Sequence, residues 1–222
     1  MIKWNNIDLK EKGIIVEKTP SISKAKKKID IQQIPGRNGF ISIDSGVYEP
    51  FNVSLECHCS EDANLDEIKQ FLDGFGTLSI EEGKQYTAVI NNNIPFEKVL
   101  SFKKFIISFL VNPIAEDITA TELDLTELET FDIESYEKVY PILTIQCTGN
   151  ISVSINENTF YLNSTNGTYI LDCKNKIIKD SNGVNAAGIM LYDFPFFTPG
   201  TNTISTTGNI TSIVANYRNT YM

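Results

Sequence analysis

The residues that could do metal chemistry are few and are concentrated in one stretch. The chain has four cysteines and a single histidine, and Cys57, His58 and Cys59 are adjacent. Residues 51–59 alternate between apolar and polar, the pattern of a strand with one buried face, so both cysteines should face the core and His58 the other side. A zinc site needs several ligands that converge, and Cys147 and Cys173 are distant in the sequence. We therefore predict buried thiols, with no metal site and no cofactor.

Carboxylates are the other abundant reactive groups, and the chain has 28 of them. It contains no Ser/His/Asp combination, phosphate-binding loop, HExxH or GxSxG motif. The single histidine is expected on an outward strand face, so most general-base schemes lack their usual residue. Glycoside hydrolysis requires only two carboxylates and is the hardest enzyme class to exclude. We predict that the chain is not an enzyme.

The segment Ile34–Tyr48, IPGRNGFISIDSGVY, is the most distinctive stretch of the chain. Pro35 lacks an N–H and should end a strand. Asn38-Gly39 and Asp44-Ser45-Gly46 are tight-turn signals, with a short apolar strand between them. Arg37 falls at a turn tip, where its guanidinium should be exposed and able to pair with a carboxylate of another molecule. We predict a subunit interface formed by Pro35, Gly36, Arg37, Asn38 and Gly39.

Pro-Gly-Arg-Asn-Gly, then a strand, then Asp-x-Gly-x-Tyr resembles the signature of the distal tail (Dit) protein family of long-tailed phages and related tail-like particles. The resemblance implies a tail-tube-like N-terminal β domain followed by a galectin-like β-sandwich. It also implies a homohexameric ring at the virion tail tip. The partners would be the tail-tube protein on one face and a tail-associated baseplate or fibre protein on the other. The chain would then be a structural component that joins the tail tube to the baseplate or host-recognition apparatus.

Composition agrees with a mainly β protein, because Phe, Tyr, Ile, Thr and Val are abundant and turn residues recur between short apolar runs. One helix is predicted at 62–74, with Asn64 as its N-cap, Glu67 in the capping-box position and Gly74 after its end. The net charge of −9, with Lys24–Lys28 as the one basic cluster, disfavours non-specific nucleic-acid binding, and we predict no specific nucleic-acid binding either. No run is apolar and long enough for membrane insertion. We expect a protein made in the host bacterial cytoplasm, with reduced cysteines.

An acidic stretch divides the chain. Residues 113–138 hold nine carboxylates against Lys138, and nine minus one leaves −8 of the whole net charge of −9. Such a charge run is typical of a solvated linker or arm, although interspersed leucines would let part of it dock as a strand or short helix. We therefore predict domains at 1–112 and 140–222, separated by an acidic linker or arm at 113–139.

Residues 140–222 show short strands separated by turn signals, the pattern of a β-sandwich. The segment 191–200 is aromatic and interrupted by prolines, and we predict that it docks a partner protein. The alternative is that its three phenylalanines cap the core. The predicted docking residues are Tyr192, Phe194, Phe196 and Phe197.

The alternative function is a carbohydrate-binding module that acts in adhesion to the host surface. Galectin sites use a histidine and a tryptophan, and residues 140–222 contain neither. The sequence therefore favours the tail ring over the sugar-binding module.

Overall fold

The computed structural model describes residues 1–36 and 38–222, with the side chains of all of these except 164 and 165. The chain divides into two compact units, Met1–Ala115 (with Met222) and Glu116–Tyr221. Strands build both units, and the described residues contain one α-helix. The predicted mainly β class with one helix is therefore confirmed.

The first unit consists of a main sheet, one helix and a separate hairpin. The main sheet has the strand order β2-β1-β7-β8-β10-β6-β3, with β9 beside β10, and β4 and β5 form a sheet of their own. A short 3-10 helix covers Leu9–Lys12. The elements are β1 (Lys3–Trp4), β2 (Ile7–Asp8), β3 (Ile15–Val16), β4 (Lys27–Gln32), β5 (Ile41–Tyr48), β6 (Phe51–Ser60), α1 (Leu65–Phe71), β7 (Phe75–Ser79), β8 (Lys84–Ile90), β9 (Glu97–Val99) and β10 (Phe102–Asp117).

The core of this unit is organised around the antiparallel pair β6 and β10. Phe105 lies opposite Cys57, and Phe109 lies opposite Val53, so these apolar side chains share one face. All four are buried, and so is Cys59. The predicted inward orientation of the two cysteines is therefore confirmed.

Helix α1 begins at the predicted cap. The side-chain oxygen of Asn64 accepts hydrogen bonds from the N–H groups of Asp66 and Glu67 at 3.2 and 3.4 Å, and its amide donates to the Glu67 carboxylate at 2.9 Å. The helix ends at Phe71 and is shorter than predicted. Ile68 and the C-cap residue Leu72 are buried, so the apolar stripe of the helix faces the protein interior.

The second unit has one highly curved sheet with the strand order β11-β17-β13-β14-β15, with β12 beside β17 and β16 beside β14. Its buried apolar side chains form one continuous cluster. A 3-10 helix covers Ala187–Ile189. The strands are β11 (Thr121–Asp124), β12 (Thr130–Ile133), β13 (Ile142–Ile155), β14 (Asn158–Asp172), β15 (Ile177–Asp180), β16 (Met190–Leu191), β17 (Gly200–Tyr217) and β18 (Thr220–Tyr221). The galectin-like classification of this unit stays a prediction.

Three long strands of this unit replace the shorter strands that the sequence predicts. Turn residues near 146–149, 163–168 and 206–208 suggest chain reversals, but β13, β14 and β17 run through them. The pairing of β13 changes register between Thr148 and Asn150 on one side. Gly208 has a φ of 94°, and a Cβ there would lie 2.5 Å from the carbonyl oxygen of Asn150. The turn residues therefore form bulges that bend continuous strands.

The acidic stretch contributes strands to the second unit. Both β11 and β12 pair with β17, and Leu125, Phe131 and Ile133 are buried. The stretch expected as an acidic linker or arm at 113–139 therefore contributes two strands to the sheet, which agrees with the expectation that part of it could dock as a strand. Strand β10 runs through Pro113, because the β10–β6 ladder already stops at Val111 and the missing proline N–H removes no bond from that ladder. The boundary between the units falls at Ala115.

Candidate subunit interface

Strands β4 and β5 form a hairpin that carries the predicted interface loop at its tip. Ile29 lies opposite Asp44, and Ile31 lies opposite Ser42. In the described part of the chain, this two-stranded sheet has no further strand. Its outer edges therefore present unpaired N–H and C=O groups, which are a template for pairing with another chain.

Both faces of the hairpin carry exposed apolar side chains. Residues directly opposite each other share a face, so Ile29 and Ile31 lie on one face and Ile41 and Ile43 on the other. These four are 47%, 59%, 41% and 51% exposed, and Phe40 beside the tip is 66% exposed. A lone two-stranded hairpin is only marginally stable in water. Apolar stripes on both faces indicate an element that another protein chain covers.

Polar contacts near the base hold the hairpin in register. Lys27 Nζ lies 2.8 Å from Asp44 Oδ2, and the Gly46 N–H donates to Asp44 Oδ1 at 2.8 Å. These bonds, with the lysine contribution the larger, hold the pKa of Asp44 below its usual value. The Ser45 hydroxyl donates to the Lys28 carbonyl at 2.6 Å.

The second predicted turn of the motif needs a correction. Gly46 has a φ of 71°, and the pairing shifts register between Lys27 and Ile29. Asp44-Ser45-Gly46 is therefore a bulge inside β5 and not a chain reversal. The motif folds into one hairpin, whereas the sequence suggested two.

The predicted interface residues Pro35, Gly36, Asn38 and Gly39 lie in the loop between β4 and β5, and all four are exposed. Gly36 and Gly39 have φ values of 81° and 95°, which the turn requires. Arg37 lies outside the described residues, so its ion pair with another subunit stays a prediction.

The four exposed isoleucines of the hairpin were not predicted as site residues from the sequence. Apolar residues alternate on both strands, which indicates half-buried strands, but only the register of the pairing places the two pairs of isoleucines on opposite faces.

A depression of about 480 Å³ beside β3 and β10 is lined in part by Glu17, whose carboxylate has two basic neighbours. Glu17 Oε1 lies 2.9 Å from Lys104 Nζ and 3.2 Å from His58 Nδ1, and the lysine hydrogen bond lowers the pKa of Glu17. Burial raises the pKa of the adjacent Cys57 thiol to about 12, so this thiol is protonated and unreactive at neutral pH. Among the described residues, no group of three or more His, Cys, Asp and Glu side chains is placed to hold a metal ion.

Phe197, one of the predicted docking residues, belongs to the core of the second unit. It is fully buried and packs edge-on against Phe131 and Tyr217, with ring centroids 4.9 and 5.7 Å apart. Phe197 and Val139 exchange two backbone hydrogen bonds of 2.8 and 3.0 Å, which draw this segment inward. The predicted docking role of Phe197 is therefore corrected to core packing.

The other predicted docking residues differ in exposure. Phe194 and Phe196 are partly buried, and Lys138 Nζ lies 4.1 Å from the centre of the Phe196 ring. Tyr192 is 76% exposed. Of the four residues, only Tyr192 offers most of its side chain to a partner.

Comparison with known proteins finds similarity at the level of structure. No protein-family model matches the chain, and no curated protein matches it. A similar crystal structure is that of the Dit protein (gp 19.1) of phage SPP1, from the hub adsorption apparatus of phages that infect Gram-positive bacteria. The similarity covers 100% of this chain and 98% of that chain with a TM-score of 0.77, at 11% sequence identity. The chain has the fold of a Dit protein.

The resemblance inferred from residues 34–48 is therefore confirmed at the level of the fold. The tail-hub function of the SPP1 protein belongs to that protein, and for this chain it is the basis of a proposal. In the part of the chain that the structure describes, no helix has the length and apolar character needed to span a membrane.

Proposed function

We propose that the chain is a structural component of a phage tail: a hub ring at the distal end that joins the tail tube to the baseplate or host-recognition apparatus. The observation that carries this proposal is the similarity to SPP1 Dit over the whole chain. The SPP1 protein belongs to a hub adsorption apparatus, and the shared fold supports the proposed function without any identified catalytic or ligand site among the described residues.

The β4–β5 hairpin supports the ring. Each subunit has two open strand edges and two apolar faces on an element that pairs with no other strand in the described residues. A neighbour on each side would cover both edges. Contacts of this head-to-tail kind close into a ring when the rotation between subunits divides a full turn. We propose six subunits, as the family resemblance implies.

The other parts of the proposal follow from the same resemblance. The tail-tube protein would bind one face of the ring, and a tail-associated baseplate or fibre protein would bind the other. The protein would be made in the host cytoplasm and would act at the virion tail tip. Binding these two partner proteins requires neither catalysis nor a cofactor.

Native mass spectrometry and negative-stain electron microscopy of the purified protein, alone and with tail-tube subunits, test the proposal. We expect rings of six subunits. If the isolated chain stays monomeric, the rings should form when tail-tube subunits are added, because these would nucleate the assembly. The control replaces residues 29–44 with Asn-Gly. Because the Ser45 hydroxyl bonds the Lys28 carbonyl, this short turn should close the base and leave the main sheet folded.

The shortened variant should remain a folded monomer under all these conditions. Rings formed by the shortened variant would show that the hairpin is not the interface. Labelled antibody bound away from the tail tip of intact particles would contradict the hub assignment itself.

A further inference from the structure

We propose that the second unit has a binding site for neutral saccharides on the outer face of β13, β14 and β17, beside an exposed tyrosine pair. This activity goes beyond the hub role and involves no residue of the hairpin. It is carried by two features, an aromatic platform and a hydroxyl-lined strand face.

The aromatic platform consists of Tyr161 on β14 and Tyr192 directly after β16. Their ring centroids are 5.5 Å apart at an interplanar angle of 47°, and the residues are 41% and 76% exposed. Tyr192 has a φ of 76°, a conformation that costs free energy for a residue with a Cβ. The next residue fixes this turn, because Asp193 accepts bonds from Lys176 Nζ at 2.9 Å and from the Phe194 N–H at 2.8 Å. Strained residues held open to solvent in this way cluster at ligand sites.

The strand face beside the platform carries hydroxyl groups. Ser152 lies between Tyr161 and Thr207 in one row across the sheet, and Ser154 lies beside Thr159 in the next row. The Ser152 and Thr207 hydroxyls are 2.8 Å apart, and those of Ser154 and Thr159 are 2.7 Å apart. Each pair uses one of its two O–H donors internally, so one donor and several lone pairs remain for a ligand.

The chemistry of this face matches an uncharged, hydroxyl-rich ligand. These two rows contain no charged residue, and the exposed residues Asn150 and Asn163 pair in the row beyond them. A pyranose ring would place its C–H face on the tyrosines and its hydroxyls against Ser, Thr and Asn. A protein partner would favour an apolar centre, and these rows provide hydroxyls instead. The missing histidine and tryptophan therefore do not exclude sugar binding, because two tyrosines distant in the sequence form the platform.

Isothermal titration of the full-length protein with lactose, maltotetraose and chitotetraose tests this proposal. We expect saturable binding of at least one of these saccharides. Tyr192→Ala and Tyr161→Ala should each weaken it by up to about tenfold, and Tyr192→Phe should bind as the wild type does. The matched control is Tyr140→Ala, since Tyr140 is 46% exposed in the same unit but lies outside the platform.

Tyr192→Gly separates binding from folding. Glycine relieves the positive φ, so this variant should keep or raise the melting temperature while its sugar binding falls as in Tyr192→Ala. Absence of saturable binding to all three saccharides would overturn the proposal. Equal losses in the Tyr140 control would do so too. If no sugar binds and the tyrosine substitutions instead release a baseplate protein, the face is a protein-docking surface. All these variants should still assemble as the wild type does, so this test is independent of the ring proposal.

Discussion

Replacing one isoleucine on each face of the β4–β5 hairpin should weaken subunit association without unfolding the subunit. Ile31 and Ile43 are 59% and 51% exposed in the single chain, so about half of each side chain remains to be buried by a neighbour. Full burial of such a side chain contributes about 2 kcal/mol, and half of it about 1 kcal/mol. The double substitution Ile31→Ser with Ile43→Ser should therefore cost about 2 kcal/mol per contact, or about 30-fold in the association constant.

Mass photometry over a dilution series measures this change as a shift of the dissociation midpoint. The matched control is Val184→Ser, because Val184 is 62% exposed and belongs to the second unit, whereas the hairpin belongs to the first. The melting temperature of the dissociated subunit should change little, since both isoleucines already contact water there. A midpoint that does not move, or that moves equally in the control, would refute the assignment of the hairpin as the interface.

Three further predictions concern the stability of the two units. Asn202 is fully buried; its side chain accepts hydrogen bonds from the Asn156 amide and the Thr198 N–H, both at 2.8 Å, and donates one to the Thr198 carbonyl at 2.7 Å. Asn202→Ala should lower the free energy of unfolding, measured in urea, by about 3 kcal/mol, because it leaves buried partners unpaired. The exposed control Asn182→Ala should have little effect. Burial raises the pKa of the Cys57 and Cys173 thiols to about 12 from an ordinary value of 9.0. Both should resist Ellman's reagent near pH 8 until the protein unfolds. The two thiols keep their protons in the folded state at pH values where they lose them in the unfolded state. Their burial should therefore not reduce the free energy of unfolding below about pH 9, and the free energy of unfolding should fall as the pH rises toward 12. Finally, residues 116–222 expressed alone should unfold in one cooperative transition, and a chain that stays unfolded would show that the two units do not fold separately.

The sequence alone determined the features that depend on neighbouring residues. The alternation in residues 51–59 was enough to turn Cys57 and Cys59 inward, because successive side chains of a strand point to opposite faces whatever the strand pairs with. Asn64 and Glu67 located the start of the helix for a similar reason, since both capping bonds form within one turn. The motif in residues 34–48 was enough to indicate the Dit fold.

Tertiary structure alone decided the features that depend on a distant partner. The turn residues around Gly46 and Gly208 are compatible with either a chain reversal or a bulge that bends a continuous strand. The register of the neighbouring strand decides which of the two forms. The acidic strands β11 and β12 are held by pairing with β17, which comes some 70 residues or more later in the chain. Tyr161 meets Tyr192 only because β16 pairs with β14. Each of these outcomes depends on which backbone groups and apolar side chains the completed sheet brings together, and a local pattern of residues does not contain that information.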